Sequence, residues 1–179
     1  FTLFPYTTLF RSEVIVDGNS TLTVYGGIYT HGRNANESSD GTAKTATLTI
    51  ESGSTVVVVN ENGMGVGGES NGVMTVKGTY MANNLTVSSI GLVNVNGGNV
   101  KVDAKLTNNG TVYVTGAANL DATVTGDGWF YMNGVTLDAD TKLLGAKVGF
   151  INGENNIVAS TIKDGWFSVG IGKNISGML

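Results

Sequence analysis

The sequence of 179 residues has no cysteine, one proline and one histidine, and only 13% of its residues are charged. Without cysteine there is no disulfide framework and no thiolate metal site, a condition compatible with secretion but not a demonstration of it. Ten Lys and Arg against fourteen Asp and Glu leave a net charge of −4. With no basic stripe to neutralise phosphates, nucleic acid is not an expected partner. No apolar run is long enough to cross a bilayer as a helix. Apolar spacing of helical period is not sustained anywhere.

Glycine is abundant, at 27 residues, beside a hydrophobic content of 41%. High glycine with low charge can mark a chain that never folds, but here Val, Ile and Leu alternate with polar residues and supply a core. The shape glycine, x, apolar, x, apolar, x, glycine recurs without gaps at Gly72–Gly78, Gly91–Gly97, Gly110–Gly116 and Gly128–Gly134, with starts 19, 19 and 18 residues apart. Looser copies begin at Ser20, Ala46, Ala146 and Gly165, and the first three starts are separated by 26. A unit this short cannot bury its own apolar face and must stack on its neighbours.

Within each copy the alternation has the period of a strand, and Val and Thr favour that state. The spacing therefore predicts an all-β, parallel β-solenoid of about eight rungs with an 18 to 19-residue period. Met74 and Val76, Val93 and Val95, Val112 and Val114, and Phe130 and Met132 would point inward as the core stack. A sandwich of antiparallel hairpins is the alternative, since nine-residue strands also fit a spacing near 19. The pairs Asn71-Gly72, Asn109-Gly110, Asp127-Gly128 and Asp164-Gly165 are expected to make sharp corners at positive φ.

Residues 1–12 lie outside this pattern and carry the only proline. Thr2 to Ser12 resembles the in-frame translation of a common sequencing adapter over eleven consecutive residues. They are set aside from the fold as one would a cloning scar, which points to an assembled environmental source. The domain is then 13–179, a single solenoid segment. Glu13 to Gly18 reads as the tail of a preceding coil and the pattern stops at Leu179 mid-repeat, so both ends read as truncated. His31 to Gly41 is a polar excursion and Asn60 to Asn71 a Gly-rich loop or irregular corner. From Ala146 to Asn156 the pattern loosens around Gly149 and Gly153. Asp127-Gly-Trp-Phe130 recurs as Asp164-Gly-Trp-Phe167, two rungs later.

Leu106-Thr-Asn-Asn-Gly-Thr-Val-Tyr-Val-Thr-Gly116 resembles the repeat of autotransporter passenger domains, and Gly72 to Thr79 and Thr47 to Gly53 are similar to it. The resemblance covers Glu13 to about Gly134 well. It implies a right-handed β-helix at a bacterial surface or secreted from it, an adhesin in most cases. It also implies a cognate translocating barrel, which these residues lack. No catalytic residue transfers, because the matching motif contains none.

Few residues suggest chemistry. His31 stands near Arg33, Glu37, Ser38, Ser39 and Asp40, but a nucleophilic set needs a fixed geometry and an oxyanion site, and a Gly- and Asn-rich loop offers neither. A solvated loop is expected there. Asn36-x-Ser-x-Asp40-Gly41 has part of a calcium-loop pattern, yet Thr47 occupies the place of its bidentate Glu. Superposed rungs align Asn84, Asp103, Asp121 and Asp140. Stacked carboxylates need solvation, protonation or a bridging cation. Asp103, Asp121 and Asp140 are thus a candidate Ca²⁺ column, although Lys105 and Lys142 could offset their charge. No other metal and no cofactor is expected.

Tyr113 and Tyr131 share one outward column, and Trp129 and Trp166 another. They are candidate ligand contacts for sugar rings or a partner surface, unless the segment from Gly145 to Asn156 folds over them. The outward pairs Thr21 and Thr23, and Thr47 and Thr49, resemble an ice-binding array. The pattern ends after two copies, so no ice plane is expected.

The expected function is structural and adhesive: a non-catalytic, extracellular or cell-surface bacterial rod making multivalent contacts with host or environmental glycan or protein surfaces. The alternatives are a glycan-binding module and a glycan-degrading β-helix lyase or hydrolase. The last would need clustered acids, a base and basic residues for an acidic sugar, and beyond Arg11 only Arg33 is arginine.

Overall fold

The computed structural model describes residues 8–10, 12–61, 63–68, 70–137, 140–144, 147–151, 154–157, 161–163, 166–169 and 174–177, with side chains described from residue 12 to 151 within those ranges and at Asn155. Two long parallel sheets and a third short one form a β-solenoid, and the single 3₁₀ turn Ala35–Glu37 is the one helical element among the described residues. Every named strand pairing is parallel, which removes the antiparallel sandwich. The one antiparallel contact among the described residues is the isolated bridge between Arg33 and Lys44.

The first sheet is eight strands deep: Glu13–Val16, Ala46–Ile50, Gly72–Val76, Gly91–Asn96, Thr111–Thr115, Trp129–Asn133, Lys147–Phe150 and Trp166–Val169. Val93 lies opposite Val112 and Val112 opposite Phe130, so like positions stack coil upon coil. Met74, Val76, Val93, Val95, Val112, Val114, Phe130 and Met132 are all buried, as the alternation predicts. Each such apolar side chain taken out of water contributes roughly 1.5–3 kcal/mol before the cost of ordering it.

The first coil departs from the expected layout, and Thr8–Phe10, within the stretch set aside from the fold, pairs in parallel with Ile28–Thr30 at the edge of the ten-stranded sheet. Thr21–Val24, the copy starting at Ser20, lies in the ten-stranded second sheet, paired with Thr55–Val58. The outer strand of the first sheet is instead Glu13–Val16, whose Glu13 faces Thr47. The expected Thr pairs are consequently on different sheets. The step from Glu13 to Thr47 spans 34 residues, and that from Thr47 to Val73 spans 26. The later coils carry the second sheet on unbroken strands such as Thr79–Val87 and Asn99–Asn108. Thr79–Val87 pairs with both Thr55–Val58 and Met64–Val66, two strands of the coil before it. The segment from Asn60 to Asn71 is therefore more than a loop, since it holds the strand Met64–Val66. The strand Lys147–Phe150 also keeps the register, with Trp129 opposite Lys147 and Phe130 opposite Val148.

The glycines divide by physical cause. Gly72, Gly110 and Gly128, which open the motif, are absent from the positive-φ set. They are required because a Cβ would meet the preceding coil: at Gly110 it would lie 2.1 Å from the Ser88 carbonyl oxygen. Positive φ falls instead on the closing glycines Gly97, Gly116 and Gly134, each with nothing within 4 Å of a built Cβ, as at Gly116 with φ 69°, whereas the closing Gly78 is held by close approach of the preceding coil. The expected positive φ at the opening corners is thus corrected, and Asp164-Gly165 lies outside the described residues. Asn108 completes the corner. Buried, it donates from Nδ2 to the Trp129 carbonyl at 2.9 Å and accepts the Gly110 N–H at 3.1 Å through Oδ1.

Within the core, Tyr80 stands between Val56 and Val100 in one inward column, fully buried, and its hydroxyl has no hydrogen-bond partner. Burial pushes its phenol well above its ordinary pKa.

Gly110→Ala should destabilise more than Gly116→Ala in urea unfolding, because the second costs only about 1–2 kcal/mol of left-handed backbone strain while the first forces atoms apart; equal losses would contradict the division. Tyr80→Phe should be neutral or stabilising by about 1 kcal/mol, since it removes an orphan hydroxyl. The native chain should lose stability as pH rises past the ordinary phenol value of 10, because only the unfolded state releases that proton, and Tyr80→Phe should remove the contribution.

Candidate functional site

On the outer surface of the eight-stranded sheet, Asn94, Tyr113, Tyr131 and Gly149 fall in one column across four strands. The Tyr113 and Tyr131 rings stack at 4.9 Å between centroids, with planes 17° apart. Trp129, two residues before Tyr131 and on the same side of the strand, stacks on Tyr131 at 5.3 Å and 8°. The glycine at 149 matters here, because the Tyr131 ring occupies the place of its missing side chain: a Cβ there would lie 2.4 Å from Cδ1. Burial, and next the Tyr113 phenol, hold the Tyr131 hydroxyl above its ordinary pKa.

Three of the four predicted contact residues are therefore brought together as one half-buried stack. Trp166 shares the Trp129 column through Lys147, as the repeat spacing predicts. Its side chain lies outside the described residues. Tyr131 has one ring face toward Tyr113 and further contact with Trp129, so the stack is held partly by itself.

Tyr113 also borders a trough of about 400 Å³, lined with it by Thr75, Asn94, Asn96 and Thr115. Thr115 Oγ1 and Asn96 Oδ1 stand 3.3 Å apart across adjacent strands. The result is an aromatic wall beside a floor of neutral amides and hydroxyls, with no charged side chain among the trough's described lining residues. These four polar residues were not singled out in the sequence. Their signal is the outward column itself, which places Thr75 and Asn94 in line with Tyr113.

The acidic residues are arranged differently from their sequence alignment. Register places Asp121 opposite Lys101, and Asp103 follows Val102, where the pairing shifts. Lys101 Nζ lies 3.6 Å from Asp103 and 3.7 Å from Asp121, so the cation between these two is Lys101. Lys105 lies opposite Asn84, and Lys142 opposite Thr123. Asn84 is thereby outside the acidic row, its Nδ2 donating to the Glu61 carbonyl. Asp103, Asp121 and Asp140 do border one shallow pocket of about 230 Å³ with Lys142. Among the described residues no group of three His, Asp or Glu stands close enough to hold a metal ion.

In the excursion, Asp40 organises its own turn. Its Oδ1 accepts from Ser38 Oγ at 2.7 Å, Thr42 Oγ1 at 2.7 Å and Thr42 N–H at 3.1 Å, while Lys44 Nζ sits 2.6 Å from Oδ2. Lys44 first, then Ser38 and Thr42, hold the carboxyl far below the usual carboxylate range. His31 lies apart from these groups in a different groove, half-buried rather than freely solvated, and Ser38, Ser39 and Asp40 do not line that groove.

The fold and this face define a parallel β-solenoid carrying an aromatic stack beside a neutral polar trough. No protein-family model, curated protein or solved structure matches the chain.

Asp40→Ala should speed amide exchange at Thr42 and leave the eight-stranded sheet protected. In the native chain the Asp40 carboxyl carbon should keep its ionised shift below pH 3.8, its ordinary pKa. With the folded pKa depressed, the order it gives the turn is present above 3.8 and lost only in stronger acid; an ordinary titration would contradict this.

Proposed function

We propose that the chain is a structural and adhesive segment of a bacterial β-solenoid, secreted or displayed at the cell surface in the manner of autotransporter passengers. It acts without catalysis, by many weak contacts along a stiff rod. The observation that carries this reading is the Tyr113, Tyr131 and Trp129 stack standing beside the Asn94, Asn96, Thr75 and Thr115 trough. A rigid aromatic wall offers contact area at little entropic cost, and neutral amides and hydroxyls can satisfy a ring of hydroxyl groups.

That chemistry favours carbohydrate over a charged protein surface as the contacted material. Single contacts of this kind are weak, and repetition along one polymer or cell surface supplies the avidity. The repeat resemblance supports extracellular placement, and the scarcity of charge and of histidine supports a non-catalytic role.

On an array of neutral glycans, the native chain should bind a subset, and Tyr113→Ala should weaken that binding by about tenfold, the equivalent of ~1.4 kcal/mol. Loss of the Tyr131 stacking should lower the variant's melting temperature by a few degrees without changing the form of the transition, so binding is compared well below it. Equal binding by the two proteins would reject the aromatic wall as the contact.

A further inference from the structure

A second groove, of about 470 Å³, lies on the ten-stranded sheet and is lined by Tyr29, His31, Met64, three glycines, Thr86 and Ser88. Tyr29, Gly65 and Thr86 stand in one outward column on three adjoining strands, so the middle coil contributes no side chain. The Cδ1 and Cε1 edge of Tyr29 takes up that space, 2.7 and 2.9 Å from where a Cβ on Gly65 would be. Unlike Tyr131, Tyr29 stacks on no other ring among the described residues, and it is 37% exposed. Beyond this column the chain turns through Gly67, held at φ 76°, and Gly68, where a Cβ would lie 3.3 Å from His31 Nδ1. The groove floor there is bare backbone. Ser88 borders it, but its hydroxyl is shielded from solvent beneath Gly67 and does not face the groove.

From this we infer that the Tyr29 and His31 groove is a binding site for a neutral saccharide, one or two residues long, separate from the Tyr113 trough. Among its described lining residues none is Lys, Arg, Asp or Glu, so a charged ligand would lose hydration without an ionic partner. With its edge seated on Gly65, the part-exposed Tyr29 ring offers a face to the apolar side of a pyranose. The imidazole and Thr86 offer hydrogen-bonding groups to the ligand's rim, which a hydrocarbon ring cannot use and a sugar can. The volume lies within the range of small-molecule pockets. The site does not depend on the adhesive reading of the opposite face.

His31 is the only histidine in the chain, so its imidazole resonances report on this groove alone. Neutral disaccharides, among them cellobiose, maltose, lactose and diacetylchitobiose, are titrated into the full chain while the His31 ring signals are followed by NMR. At least one should shift them saturably, with a dissociation constant in the millimolar range. Gly68→Val, which fills the floor beside His31, should weaken the effect at least tenfold. Tyr29→Leu, which removes the part-exposed aromatic face and keeps an apolar side chain over Gly65, should weaken it severalfold. Tyr113→Ala should leave it unchanged even though array binding falls, which keeps this site distinct from the trough. No shift with any saccharide overturns the inference, as does a shift that survives both groove substitutions. A response to indole but to no sugar overturns it equally.

Discussion

Axial registry is the constraint on which the rest of the structure depends. Each coil must place its backbone amides opposite those of the coil before it, and this fixes every side chain into a column running along the solenoid. A slip of one residue would turn Val93 and Val112 to solvent and bring Asn94 and Tyr113 into the core. The opening glycines enforce the same constraint sterically, since the coils approach too closely there for any Cβ. Asn108 adds a polar tie at the same corner, joining one coil to the carbonyl of Trp129 in the next.

Columns convert sequence repetition into surface chemistry. A residue type that recurs at one repeat position becomes a ladder, and a change at that position becomes an edge between two textures. Along the outward column from Thr75 through Asn94 to Tyr113 and Tyr131, the surface passes from small polar groups to stacked rings. The trough exists because that transition leaves lower side chains beside taller ones. Gly149 ends the ladder by giving Tyr131 space to lean. The same device, a glycine beneath a tyrosine, recurs at Gly65 and Tyr29 on the other sheet.

Charge follows similar rules. Lys101 stands between Asp103 and Asp121 at distances that make exposed ion pairs of roughly 0–1 kcal/mol each. Asp40 differs because four donors converge on one carboxylate, and that convergence shapes the excursion. Neither aromatic-bordered groove has a charged side chain among its described lining residues, and that sets both apart from the acidic flank.

The sequence alone determined the coil period, the inward set from Met74 to Met132, and the shared columns of Tyr113 with Tyr131 and Trp129 with Trp166. These are properties of a repeat with strand alternation, so counting residues is enough to read them. It could not determine where the first coil begins, because Thr21–Val24 and Glu13–Val16 alternate equally well and only pairing assigns each to a sheet. It misjudged the opening glycines, since close approach of a neighbouring coil is invisible in local sequence. It aligned Asp103 with Asp121, whereas the continuous pairing from Asn99 to Val102 sets Lys101 opposite Asp121 and the register shifts only beyond Val102. The two grooves were decided by tertiary structure alone, because each is bounded by residues from at least three coils whose heights and tilts depend on what stands beside them.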